Sequence, residues 1–229
     1  MKKFILAICA VTLVVSQGLA DSSTEKIVGR LNSASQVLNE IMATPDKAVP
    51  TSILSNATCV AVIPSYKKAA FVVGATYGQG VVTCKTARTG KWSAPAFIQM
   101  SGGSFGFQIG GQATDLVLIA VNQRGMQDLL KTKFKIGGDA AASAGPVGRN
   151  AAAATNLTLK SELLTYSRSQ GLFAGIDLNG AVVHQNTDDT RTYYGHDVPF
   201  QTILDGSVAT PPSGRQFVRT VAKYFHRAQ

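Results

Sequence analysis

The 229-residue chain carries 22 Lys and Arg against 13 Asp and Glu, a formal charge of +9, and 45% of its residues are apolar. Such a chain suits one domain burying about 70% of its unfolded surface, and its basic balance favours anionic partners. The 3 histidines lack metal-ligand spacing with one another or with cysteine, which excludes a His/Cys metal centre.

Lys2 and Lys3 precede an apolar run from Phe4 to Val15 and then Gly18-Leu19-Ala20, the layout of a secretory signal peptide over residues 1–20. The run is too short to span a bilayer, and no later stretch is long enough. Bulky Ile8 sits where lipidation of Cys9 would need a small residue. Cleavage after Ala20 would leave 20 basic and 13 acidic residues, a charge of +7, in residues 21–229. This remainder reads as a single domain with a helical segment 22–56, a β-rich core 57–186 and a helical segment 187–229.

Ile27, Leu31, Ala34, Leu38 and Ile41 recur at helical spacing, and Ser22 with Glu25 has the form of a capping box. The polar face holds mostly Ser, Asn and Gln, which favours core packing over a membrane surface. Pro45 ends this helix and Pro50 opens a short one through Ile53 and Leu54. Cys59 to Ile63, Ala69 to Gly74 and Gly80 to Cys84 read as short strands separated by the turns Pro64-Ser-Tyr-Lys-Lys68 and Tyr77-Gly-Gln-Gly80. Lys67 and Lys68 would then lie at a turn tip, free to meet an anion. An oxidising compartment favours a Cys59–Cys84 disulfide; a simple meander would separate the two, leaving buried free thiols as the alternative.

Ala96 to Met100 and Leu116 to Val121 continue the sheet. The glycine-rich segment between them misses both G-x-G-x-x-G and the P-loop pattern, so its glycines serve close strand packing. Asp115, ahead of an apolar run, needs a partner if buried, and Arg149 or Arg168 could supply it. Asn122 to Leu130 reads as a helix. Lys131, Lys133 and Lys135 follow at period two, a cationic ladder if Phe134 and Ile136 face the core. Small residues from 137 to 154 are expected to be ordered under another element. Leu163 to Tyr166 and Gly171 to Ile176 extend the sheet, and Asp177-Leu-Asn-Gly180 turns into Ala181 to Gln185 as a hairpin. Asp188 to Tyr194 reads as helical with Gly195 as its stop. In the last element Arg215, Arg219, Lys223 and Arg227 share one face of a helical wheel, opposite Phe217, Val218, Val221, Tyr224 and Phe225. The same wheel fits a terminal helix docked on the domain with its charges in water. His196-Asp197 without a nucleophile elbow, and the adjacent pair Asp188-Asp189, do not make an active site. The expectation is a non-enzyme without cofactor.

Several segments together resemble the SYLF lipid-binding domain family in its secreted bacterial form. They are Cys59-Val-Ala-Val-Ile-Pro-Ser-Tyr-Lys-Lys-Ala-Ala-Phe71, Tyr77-Gly-Gln-Gly-Val81, Trp92-Ser-Ala-Pro95, Gly102-Gly-Ser-Phe-Gly-Phe-Gln-Ile-Gly110, Ala144-Gly-Pro-Val-Gly-Arg149, Tyr166-Ser-Arg-Ser-Gln-Gly-Leu-Phe-Ala-Gly175 and Tyr193-Tyr-Gly195. The resemblance runs from about Val37 to Leu204 and implies phospholipid-headgroup binding of the phosphoinositide type, with actin binding in some fungal relatives. For an exported chain, phosphatidylglycerol or cardiolipin is the better ligand. The expected fold is α+β: a mainly antiparallel, glycine-rich, sandwich-like sheet flanked by N-terminal, central and C-terminal helices. The expected partner is an anionic membrane surface, contacted from the periplasm or the extracellular side, with an envelope protein as the alternative and no nucleic acid. Charge places the contacts first at Lys67 and Lys68, then at the Lys131, Lys133, Lys135 ladder and at Arg215, Arg219, Lys223 and Arg227.

Overall fold

The computed structural model describes residues 2–43, 49–71, 73–105, 110–147, 161–169, 172–175 and 178–226. Among these residues nine strands form one sheet: β1 (Cys59–Phe71), β2 (Val73–Cys84), β3 (Ala96–Phe105), β4 (Gly110–Ala120), β5 (Lys133–Lys135), β6 (Ala142–Ala144), β7 (Leu163–Ser169), β8 (Leu172–Gly175) and β9 (Val182–Gln185). The order is β5-β9-β3-β2-β1-β4-β7-β6 with β8 on β7, and every described pair but β6–β7 is antiparallel. β5 and β6 hold opposite edges of this order, yet only residues 136–141 join them, a reach of at most ~25 Å. The sheet therefore curls towards closure, and the sandwich-like core is one sheet facing itself.

Period-two alternation sorts the side chains between two cores. Cys59, Ala61 and Ile63 of β1 face inward with Leu116 and Leu118 of β4, and α3 (Gln123–Leu130) contributes Leu129 to that core. Val60 and Val62 face outward with Val117 and Ile119. Residues 27–41 of helix α1 (Lys2–Met42) cover this outer face, and Ile27, Leu31, Ala34, Leu38 and Ile41 are all at most 2% exposed. The periodicity is borne out as core packing. The helix does not start at Ser22, so Ser22 and Glu25 are no capping box. The short α2 (Thr51–Asn56) follows Pro50, as expected, and buries Ile53.

The strands around residue 65 are longer than the sequence pattern suggests. The pairing Ile63↔Leu116 and then Tyr66↔Thr114 shows one extra residue on β1, and Ser65 has φ of 52°. This bulge lets Pro64 lie inside a central strand, where its missing N–H would otherwise break the ladder. Asp115 Oδ1 accepts the displaced Ser65 N–H at 3.0 Å. Lys67 and Lys68 consequently belong to the strand, opposite Tyr77 and Thr76, and not to a turn. Tyr77-Gly-Gln-Gly80 is likewise strand. A Cβ on Gly80 would lie 2.6 Å from the Val62 carbonyl oxygen, so the close approach of β1 and β2 requires glycine there.

With β1 and β2 forming one long hairpin, Cys59 lies directly opposite Cys84 and the two are bridged. The topological objection to a disulfide falls with the meander that produced it. The expected hairpin after Gly180 is also replaced: β8 pairs back on β7, whereas β9 lies between β3 and β5 at the far edge. Within the small-residue stretch, β6 runs parallel to β7, and a Cβ on Gly145 would lie 2.1 Å from the Tyr166 ring. Residues 148–160, Arg149 among them, lie outside the described set.

Asp115 finds its partner in Arg168, whose Nη2 is 3.1 Å from Asp115 Oδ2 and also bridges Glu40 of α1. One guanidinium thus joins β4, β7 and α1. Their side chains are part-buried, at 27% exposure for Arg168 and 17% for Asp115, so the interaction exceeds that of a surface pair. Asp115→Ala should lower stability by about 2 kcal/mol, roughly 5 °C in melting temperature. Arg168→Ala should cost more, because it leaves Glu40 and Asp115 as neighbouring unpaired carboxylates. Unchanged melting in both variants, followed by circular dichroism, would refute this role.

Candidate functional site

The cationic residues singled out by the sequence fall into three places. Lys67 is exposed and Lys68 half-buried, and as consecutive residues of one strand they project from opposite faces of the sheet. They do not form one anion clamp. Lys133 and Lys135 are exposed on the edge strand β5 with Phe134 buried between them, so the ladder geometry is as expected. Lys131 caps α3, and its ammonium sits 2.6 Å from Asp128 Oδ1. That hydrogen bond and the charge of Asp128 raise the Lys131 pKa, with smaller contributions from Asp139 and Glu162. Neighbouring carboxylates therefore offset part of the ladder.

The third place is α6 (Arg215–Tyr224), which follows α4 (Thr187–Tyr194) and α5 (Phe200–Leu204). Asn186 caps α4 by accepting the Asp189 N–H, and Gly195 ends it at φ 77°. On α6, Phe217 and Val221 are buried, as is Phe225 just beyond it, whereas Arg215, Arg219 and Lys223 are exposed. The helix is docked: Tyr224 Oη donates to Asn39 Oδ1 of α1 at 3.0 Å. Its i, i+4, i+8 spacing lines the three cations along one side, and among the described residues none of them forms an ion pair. Arg227 lies outside the described residues.

Beside α6 is a pocket of about 820 Å³. Val218, Arg219, Ala222 and Phe225 form one wall. The connection from β2 to β3 contributes Lys85, Lys91 and Trp92 to the lining, and Met126 of α3 and the end of α2 with Ala57 and Thr58 complete it. Lys85 and Trp92 are held opposite each other by a β-bridge, and the Lys85 ammonium lies 5.4 Å from the Trp92 ring centroid. Trp92 meets Phe225 edge-on at 6.0 Å between centroids. Three permanent cations line the pocket, and among the described residues no Asp or Glu does. Lys85 and Lys91 escaped the sequence reading. Lys91 sits in what reads as a polar loop, and the signal available was its place next to Trp92, the chain's one tryptophan.

A family profile described as "Ysc84: Las17-binding protein actin regulator" matches residues 101–224. The chain belongs to the Ysc84 (SYLF) family. It is 36% identical over 168 residues to the rat "SH3 domain-containing YSC84-like protein 1", covering 73% of this chain and 49% of that protein. The human protein of the same description is 34% identical over 168 residues, and "Protein YSC84" of Saccharomyces cerevisiae is 32% identical over 177 residues, covering 76% of this chain and 37% of the yeast protein. The chain spans about half the length, or less, of these curated relatives. Two family-like motifs serve folding here. Tyr193 packs edge-on against Phe97 at 5.1 Å, and Tyr194 Oη donates to the Pro95 carbonyl at 2.7 Å.

Proposed function

We propose that this member of the Ysc84 family is a non-catalytic module that binds anionic phospholipid headgroups with the face built by α6 and the β2–β3 connection. The observation that carries this reading is the convergence of Arg219, Lys85 and Lys91 on one apolar-walled pocket that no carboxylate lines among the described residues, with Arg215 and Lys223 continuing the charge along the same helix. Anionic surfaces attract such clusters with energies that add per cation, and Trp92 beside them has the amphipathic ring suited to a headgroup region. The leader-like residues 1–20 support export, which makes phosphatidylglycerol or cardiolipin the ligand and the envelope the place of action. Lys67, Lys68 and the β5 ladder are secondary contacts in this reading.

The test is vesicle sedimentation across salt concentrations. Pelleting with phosphatidylglycerol vesicles should fall steeply as salt rises, and phosphatidylcholine vesicles should leave the protein in the supernatant. Equal pelleting on both would overturn the electrostatic reading. A second reading, an envelope protein-interaction module, draws on the family's description as Las17-binding actin regulators. Capture of one defined envelope protein by lipid-free protein, insensitive to added anionic vesicles, would favour it.

A further inference from the structure

The pocket beside α6 is larger than a headgroup needs. At about 820 Å³ it falls in the size range of sites that enclose small molecules of mixed character. Its lining is divided: Val218, Phe225, Trp92 and Met126 are apolar, while Lys85, Lys91 and Arg219 bring positive charge. An anion alone would match the positive charge and leave the aromatic and aliphatic wall against water. A neutral hydrocarbon would do the reverse. The molecule that complements both parts carries one alkyl chain and one anionic head.

We propose that this pocket takes a single-chain, phosphate-headed amphiphile of the lysophospholipid class, with the chain along Trp92, Phe225 and Val218 and the phosphate at Lys85, Lys91 and Arg219. This deepens the headgroup-binding reading and rests on it for the choice of phosphate. It adds that a lipid is held as a monomer, chain included, and not only touched at the bilayer surface. Lys85 already donates to the Ser55 carbonyl at 3.3 Å and lies over Trp92, so it is held at the wall and need not be drawn in from solvent.

Trp92 is the chain's one tryptophan, so its fluorescence reports on the pocket alone. The experiment titrates the protein with octyl and decyl phosphate below their micelle-forming concentrations, with inorganic phosphate and decanol as head-only and tail-only controls. Burying a methylene tightens binding about fourfold, so decyl phosphate should bind about 15-fold more tightly than octyl phosphate, and both controls should bind far more weakly. Equal affinity for the two chain lengths, or no response to either, overturns the proposal without any substitution. Ala222→Phe, on the exposed side of α6 at the pocket wall, should fill the chain site and weaken decyl phosphate at least tenfold. An unaltered affinity in that variant, with native melting, also overturns it. The two readings fail separately. Vesicle binding without a response to alkyl phosphates removes the pocket occupant and keeps the surface, and chain-length-dependent binding without vesicle association does the opposite.

Discussion

Replacing Arg215, Arg219 and Lys223 together by glutamine should weaken binding to phosphatidylglycerol vesicles about 100-fold at about 0.1 M salt, since each cation near an anionic surface contributes about fivefold. The three side chains are exposed and form no ion pair among the described residues, so no paired carboxylate there offsets their charge. The buried side of the helix, Phe217, Val221 and Phe225, is untouched, and the melting temperature should stay within a degree or two. The informative control is the triple replacement of Lys131, Lys133 and Lys135, which removes the same net charge from β5 and the end of α3. Lys131 is already held by Asp128, and this ladder lines no part of the pocket, so its loss should be several-fold smaller. Equal losses in the two triples would mean that net charge alone governs association, and the localised face would be abandoned.

Why α6 and not the central lysines carries the proposed face is a question of what each kind of pattern encodes. A helical wheel is local: the alternation of Phe217, Val221 and Phe225 with Arg215, Arg219 and Lys223 needs no knowledge of the rest of the fold, and it reads correctly from sequence. The same holds for α1, whose inward residues follow from spacing. Strand register is not local. Pro64 signals a turn by every short-range rule, and only the pairing of β1 with both β2 and β4 shows that one inserted residue absorbs it as a bulge. That single misreading moved Lys67 and Lys68 from a strand to a turn tip, and it separated Cys59 from Cys84.

The pocket was illegible for a related reason. Lys85, Lys91, Trp92 and Arg219 are more than 120 positions apart at the extremes, and nothing in a short window links a β2–β3 connection to the last helix. Arg168 shows the intermediate case. The sequence places Asp115 before an apolar run and so demands a cation, but two arginines qualify, and the choice between them belongs to the β4–β7 register, in which Asp115 pairs directly with Arg168.

Removing the disulfide should produce the largest loss of stability among single structural features of the β1–β2 hairpin. For a bridge closing a separation of 25 residues, loop entropy predicts about 3.5 kcal/mol, roughly 7–14 °C in melting temperature for a chain of this size. Both cysteines are fully buried in the inner core, so alanine, which adds no buried polar group, is the suitable replacement. Cys59→Ala/Cys84→Ala and Cys59→Ala alone should melt at similar temperatures, because either change breaks the bridge, and both should melt well below the parent. The effect should reach the pocket as well. Thr58 directly precedes Cys59 and Lys85 directly follows Cys84, and the Lys85 N–H donates to the Thr58 carbonyl at 2.7 Å, so the bridge anchors one pocket wall at its base. Weaker phosphatidylglycerol binding in the folded double variant, measured well below its melting temperature, would place the disulfide in the support of the site. Undiminished binding with lowered melting would confine it to stability, and an unchanged melting temperature would show that the β1–β2 ladder holds this hairpin without it.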